Sequence, residues 1–173
     1  IAYASAYLKA HHPAAFLCAL LNAQPMGFYH PSTLVKDAQR HGVRVLPIDI
    51  TRSSYRCTLE DAATVRIGLC YVHGLSSESA ERILKARKDK PFKDVRSLKS
   101  ILKLNQNEWA ALSELGAFAP LGLSRRQALW QLSKNKPPAP LFSSSNEQPG
   151  TAPVPEMNLL DRVNADYRNA SLS

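Results

Sequence analysis

Apolar residues recur at helical spacing near the start of the chain. In "PAAFLCALLNAQ", Phe16, Leu17, Leu20 and Leu21 form one stripe, predicting a helix that Pro13 opens. The segment before it, Ile1 to His12, is helical in composition and is ended by the same proline. "PMGFYHPS" breaks the periodicity through Pro25, Gly27 and Pro31. Pro31 then opens "PSTLVKDAQRHG", with Leu34, Val35 and Ala38 on one side and Gly42 as C-cap.

After Gly42 the period shortens. "VRVLPIDI", "SYRCTLE" and "ATVRIGL" are short, partly alternating and rich in β-branched residues, which predicts a small antiparallel sheet or hairpin. "YVHGLSSESAERILKAR" follows as a helix, a turn and a second helix. "VRSLKSIL", "NQNEWAALSELGAF" and "SRRQALWQLSK" predict three short helices, with Asn105 and Ser124 as N-caps of the last two. "KPPAPLFSSSNEQPGTAPVP" has no period and reads as a linker over 136–155. In the last stretch, Met157, Leu160, Val163 and Tyr167 lie near helical spacing, predicting a helix that needs a surface to dock on. The fold class expected is mainly α with a small antiparallel β element.

The stretch from Tyr71 to Arg87 holds the candidate chemistry. In a helix-hairpin-helix unit the turn runs apolar–x–Gly–apolar–Gly. Its first glycine takes a backbone conformation closed to other residues. Free N–H groups at the start of the second helix then face a phosphate, aided by the helix dipole. Val72, Gly74 and Leu75 fit this turn, and Ala80, Ile83 and Leu84 give the second helix its apolar face. Ser76 stands where the second glycine is usual; its hydroxyl suits a helix cap or a donor to phosphate. The candidate DNA-binding set is Gly74, Leu75, Ser76, Ser77, Ser79, Lys85, Arg87 and Lys88, with Arg125 and Arg126 as candidate backbone contacts. Arg82, Lys85, Arg87, Lys88, Lys90, Lys93, Arg96, Lys99 and Lys103 face only Asp89 and Asp94 in the same stretch. Such a surplus favours salt-dependent binding blind to base sequence; a solvated basic helix beside an ordinary turn is the bland alternative. "LKSILKLNQNEWAALSELGAF" resembles a degenerate second hairpin without a glycine in its turn, and Trp109 is expected to pack in the core.

Composition narrows the classes. The chain has 173 residues, 45% hydrophobic, with a formal charge of +8. That is enough for a core without staples, and the charge makes a polyanion the first partner to test. Cys18, Cys57 and Cys70 are widely spaced and odd in number, against a zinc site or a disulfide framework. His11 and His12, adjacent on a helix, point in different directions and make a poor ligand pair. No run of eighteen or more apolar residues occurs. Asp49, Glu60 and Asp61 form no paired-carboxylate motif, and no P-loop or activated nucleophile is visible. Asp49 beside Arg52 reads as a turn or surface pair. The start at Ile1, inside a helix, suggests a piece of something longer.

These residues also carry a family resemblance. "AYASAYLKAHHPAAFLCALLNAQPMGFYHPSTLVKDAQRHGVRVLPIDITRSSYRCTLE" resembles the late fingers region of bacterial C-family DNA polymerases. "VRIGLCYVHGLSSESAERILKAR", "PFKDVRSL" and "LSELGAFAPLGLSRRQALW" resemble the tandem helix-hairpin-helix domain that follows it. "LLNAQPMGFY" is similar to the error-prone branch, and "DRVNADYRNASLS" to the segment before the OB domain. The resemblance implies late fingers over 1–62, tandem hairpins over 63–135, the linker over 136–155, and over 156–173 a helix leading toward an OB domain.

By that resemblance the parent is a magnesium-dependent, template-directed DNA polymerase of the bacterial cytoplasm, used in translesion synthesis and SOS mutagenesis. Its metal-binding aspartates belong to a palm domain upstream of Ile1, so no catalytic residue or cofactor is assigned within this chain. The implied partners are primer-template duplex, a Y-family-like adaptor, a recombinase-like factor and, indirectly, a sliding clamp. His73, in place of a cation before the turn glycine, together with Ser76 implies a weakened grip. The competing expectation is a protein-interaction module that does not touch DNA.

Overall fold

The computed structural model describes residues 1–27, 29–89, 92, 95–133 and 155–172. The predicted linker, Pro155 apart, lies outside the described residues, as do Lys90, Lys93 and Asp94.

Helices α1 (Ala2–His11) and α2 (Pro13–Asn22) are separated by His12, whose extended φ breaks the run, and Pro13 occupies the first turn of α2. Proline there gives up only an amide that would be unpaired anyway. Ala14, Leu17, Cys18 and Leu21 form the buried stripe of α2. In α3 (Pro31–Arg40), Val35 and Ala38 are buried, and the ring of His30 accepts from the Ser32 amide. Gly42, at φ +83°, turns the chain into the first strand.

β1 (Arg44–Leu46), β2 (Thr58–Asp61) and β3 (Thr64–Arg66) form one sheet in the order β1-β3-β2. β2 and β3 are the antiparallel hairpin expected, but β1 pairs with β3 in parallel. The sheet is therefore mixed. The long connection 47–57 carries β2 around to the far side of β3, which a tight antiparallel turn could not do. Asp49 starts the turn in that connection and is buried, not a surface partner of Arg52. It accepts from the Thr51 amide and hydroxyl and lies 3.6 Å from the guanidinium of buried Arg66. Arg52 pairs instead with Glu60.

The second half is helical: α4 (Ser77–Asp89), α5 (Val95–Leu102), α6 (Gln106–Glu114), α7 (Arg125–Ser133) and α8 (Leu159–Ala170). Asn105 caps α6 through a capping box with Glu108, and Ser124 caps α7 by accepting from the Gln127 amide. Buried residues of both halves make one core, running from Leu17 and Ile50 to Leu112 and Phe118. Trp109 packs there, its ring 5.8 Å from that of Phe118.

α8 does dock, but with the face opposite to the one its apolar spacing suggests. Ala165 and Ala170 are buried, whereas Leu160 and Tyr167 are exposed. Polar contacts hold it: Asp166 with Arg125, Asp161 with Arg126, and Glu114 with both Arg168 and Asn169.

Candidate nucleic-acid interface

The first half of the expected hairpin is a single 3-10 turn, Leu69–Tyr71, rather than a full helix. Val72 is buried behind it. Gly74 then takes φ +79° with open space where a Cβ would stand, so backbone conformation alone selects glycine. Half-buried Leu75 packs against the core. Ser76 caps α4, its hydroxyl accepting from the Ser79 amide at 3.1 Å. The amides of Ser77 and Glu78 have no protein partner among the described residues, and both residues are exposed. Exposed donors at the positive end of a 13-residue helix favour an anion.

One anion is already present nearby. Glu108 is only 2% exposed, and its carboxylate accepts from the Ser76 amide at 3.2 Å and the Asn105 amide at 2.9 Å. It thereby joins the N-terminus of α4 to that of α6. Burial pushes its carboxyl up, but the Ser79 hydroxyl and the Asn105 and Ser76 amides outweigh this and hold it below the usual glutamate range. Nothing in the spacing of Ser76 and Glu108 announces the contact.

The candidate side chains divide accordingly. Lys85 and Lys88 lie exposed on the outer face of α4, beside Arg82. Ser79 is buried at 1% exposure, in contact with Ser76 and Arg82, so it is an internal brace and not a surface donor. Arg87 turns inward and donates to the Ser53 carbonyl at 3.0 Å, tying α4 to the connection before β2. Arg125 holds Asp166 through both terminal nitrogens, at 2.7 and 3.2 Å. Arg126 donates to Asp161 and to the Pro155 carbonyl. His73 is committed to α8. Its amide donates to the Asn169 carbonyl and its Nδ1 lies 2.9 Å from the Arg168 carbonyl. A carbonyl only accepts, so Nδ1 carries the proton, and Nε2 is left to accept from the Ser171 hydroxyl at 3.3 Å. His73 is therefore not placed to supply a cation to a phosphate at this turn.

A second turn repeats the first. Gly68-x5-Gly74-Leu75-Ser76-x3-Ala80 recurs 48 residues on as Gly116-x5-Gly122-Leu123-Ser124-x3-Ala128. The structures match from the second glycine onward: Gly74 and Gly122 sit at φ +79° and +76°, and Ala80 and Ala128 are both buried, whereas Gly68 has a negative φ and Gly116 a positive one. The Ala80 amide bonds the Ser76 carbonyl as the Ala128 amide bonds that of Ser124. This repeat, not the turn between α5 and α6, is the counterpart of the first hairpin. A comparison of the sequence with itself at that offset would have found it.

Among the described residues no group of three or more His, Cys, Asp or Glu side chains could hold a metal, so the magnesium implied by the family resemblance has no fitting ligand set here. Burial pushes the Cys57 thiol up to about 12 and raises that of Cys18, so neither of these two buried thiols is an activated nucleophile. No helix among the described residues is long and apolar enough to cross a membrane.

The two glycine turns, each opening a capped helix, define a class. A family profile for the helix-hairpin-helix motif matches residues 42–128, half of the chain, and the chain belongs to that family. Its whole length is also similar to part of proteins named error-prone DNA polymerase. It is 38% identical to that of Methylococcus capsulatus and 43% identical to that of Burkholderia pseudomallei, each over 100% of this chain. The protein of Aromatoleum aromaticum is 42% identical over 96% of it. The chain spans only 19%, 17% and 16% of the lengths of those relatives. The resemblance to the error-prone polymerase branch drawn from the residues holds across the chain.

Proposed function

We propose that this chain is the duplex-holding part of a bacterial error-prone DNA polymerase acting in translesion synthesis. In that reading the Ser77 and Glu78 amides donate to a phosphate oxygen of the product duplex, and Lys85 and Lys88 neutralise the phosphates beside it. The observation that carries it is the pair of exposed, unpartnered amides of Ser77 and Glu78 at the start of α4 behind the Gly74 turn, in a chain similar throughout to error-prone polymerases. Contacts of this kind hold a backbone without reading bases, which suits an enzyme that must follow any sequence. Magnesium, the catalytic aspartates and the accessory partners belong to the parent polymerase and are assigned to no residue here.

Each phosphate neutralised by a cation releases counterion. Changing Lys85 and Lys88 to alanine is expected to flatten the dependence of log affinity on log salt by about two. Fluorescence anisotropy with a labelled duplex across a salt series measures it; an unchanged slope and affinity would count against the reading. Exposed Tyr3, Leu160 and Tyr167 favour a second reading, an interface toward other parts of the polymerase. That reading expects weak duplex binding, indifferent to the two lysines.

A further inference from the structure

α8 lies across both glycine turns. Its C-terminal end is held at the first by His73, while Asp166 in its middle and Asp161 in its first turn are ion-paired to Arg125 and Arg126, which follow the second directly. Where the first turn leaves its outer lysines exposed, the second has its cations covered by carboxylates of the same chain. Beside them is a cavity of about 230 Å³, lined by Gly116, Leu123, Ser124, Arg125, Arg126 and Arg162 among others. The bidentate Arg125–Asp166 pair has the fork geometry that a guanidinium also offers a phosphate.

Building on the duplex-holding reading, we propose that Arg125 and Arg126 at the Gly122–Ser124 turn form a second phosphate-binding site, closed by Asp161 and Asp166 of α8. The carboxylates act as a tethered substitute for the DNA backbone. Tethering makes the contact intramolecular, so α8 holds the site until duplex, anchored at the first turn, competes at high local concentration. Partly exposed ion pairs such as these are weak enough to exchange partners. Once α8 lifts, the two equivalent turns are free to hold the duplex together.

The test is duplex affinity across a salt series for the full chain bearing Asp161→Asn and Asp166→Asn, which preserve shape and remove charge. Affinity is expected to tighten about ten-fold at 0.1 M salt, with a salt slope steeper by about two. Adding Arg125→Ala and Arg126→Ala should abolish the gain. Asp37→Asn with Asp61→Asn, distant in sequence and matched in charge, controls for net charge. No tightening beyond that control overturns the proposal. If Lys85 and Lys88 still matter in that case, the first-turn reading survives alone. If they do not matter while the aspartate variant tightens through the arginines, the second turn binds without the first. Hydrogen exchange on the unaltered chain gives a test independent of folding of the variants. Added duplex should speed exchange in 159–170, and unchanged or slower exchange there overturns the proposal.

Discussion

Replacing Gly68 by alanine is expected to destabilise the chain by about 3 kcal/mol, the upper end for an overpacked site. Gly68 has an ordinary negative φ, so the reason is contact and not conformation. A Cβ there would lie 2.4 Å from the carbonyl carbon of Arg56 and 2.5 Å from the Tyr55 oxygen. Both are backbone atoms that cannot swing away as a side-chain end would. The two segments are also bonded to each other, through the Leu69 amide to Ser54 and the Cys70 amide to Tyr55, each at 2.9 Å. Relieving the overlap means giving up those bonds, which seat the 3-10 turn just before Gly74. Chemical denaturation should show a lower midpoint with little change in slope. An unchanged midpoint would mean that the 55–56 backbone yields easily.

Removing the Glu108 carboxylate by alanine should cost about 3 kcal/mol, because two part-buried hydrogen bonds to a charged acceptor and a capping box are lost together. Glutamine, which keeps one acceptor oxygen, should lose less. The charge also gives stability a pH signature. The carboxyl is held below its ordinary value in the folded state. Its contribution is therefore complete above the unfolded glutamate range and disappears as pH falls through the lower folded value. The stability gap between the native chain and Glu108→Gln, full at pH 7, should close as pH drops below about 4. Thermal melts of the two proteins from pH 7 to pH 3 would show it. A gap that stays constant to pH 3 would mean that Glu108 acts through shape and not charge.

How much of this was written in the sequence depended on whether the cause was local. Pro13, Pro31, Gly42 and Asn105 mark element ends through their own backbone chemistry, and the helices start and stop there. Gly74 announced a left-handed turn for the same reason. Partners set by packing were not legible. Arg87, Arg125 and Arg126 look like surface cations from spacing alone, but their partners at Ser53, Asp166 and Asp161 lie more than thirty residues away. The outward apolar stripe of α8 misled for a related reason: two buried alanines and a set of ion pairs, not its larger side chains, fasten that helix. The parallel pairing of β1 with β3 likewise depends on the path of a long connection whose composition does not fix direction.

The bond from Arg87 to Ser53, and that from the Ile50 amide to the Ala117 carbonyl at 3.1 Å, pin the turn after Pro47 to both hairpin regions. A boundary drawn after residue 62 is thus one of sequence resemblance and not of mechanics. A pull exerted through the first glycine turn would reach the sheet without slack, as through a bracket bolted at two points. Whatever α2 and α3 brace against in a larger assembly would register that load directly.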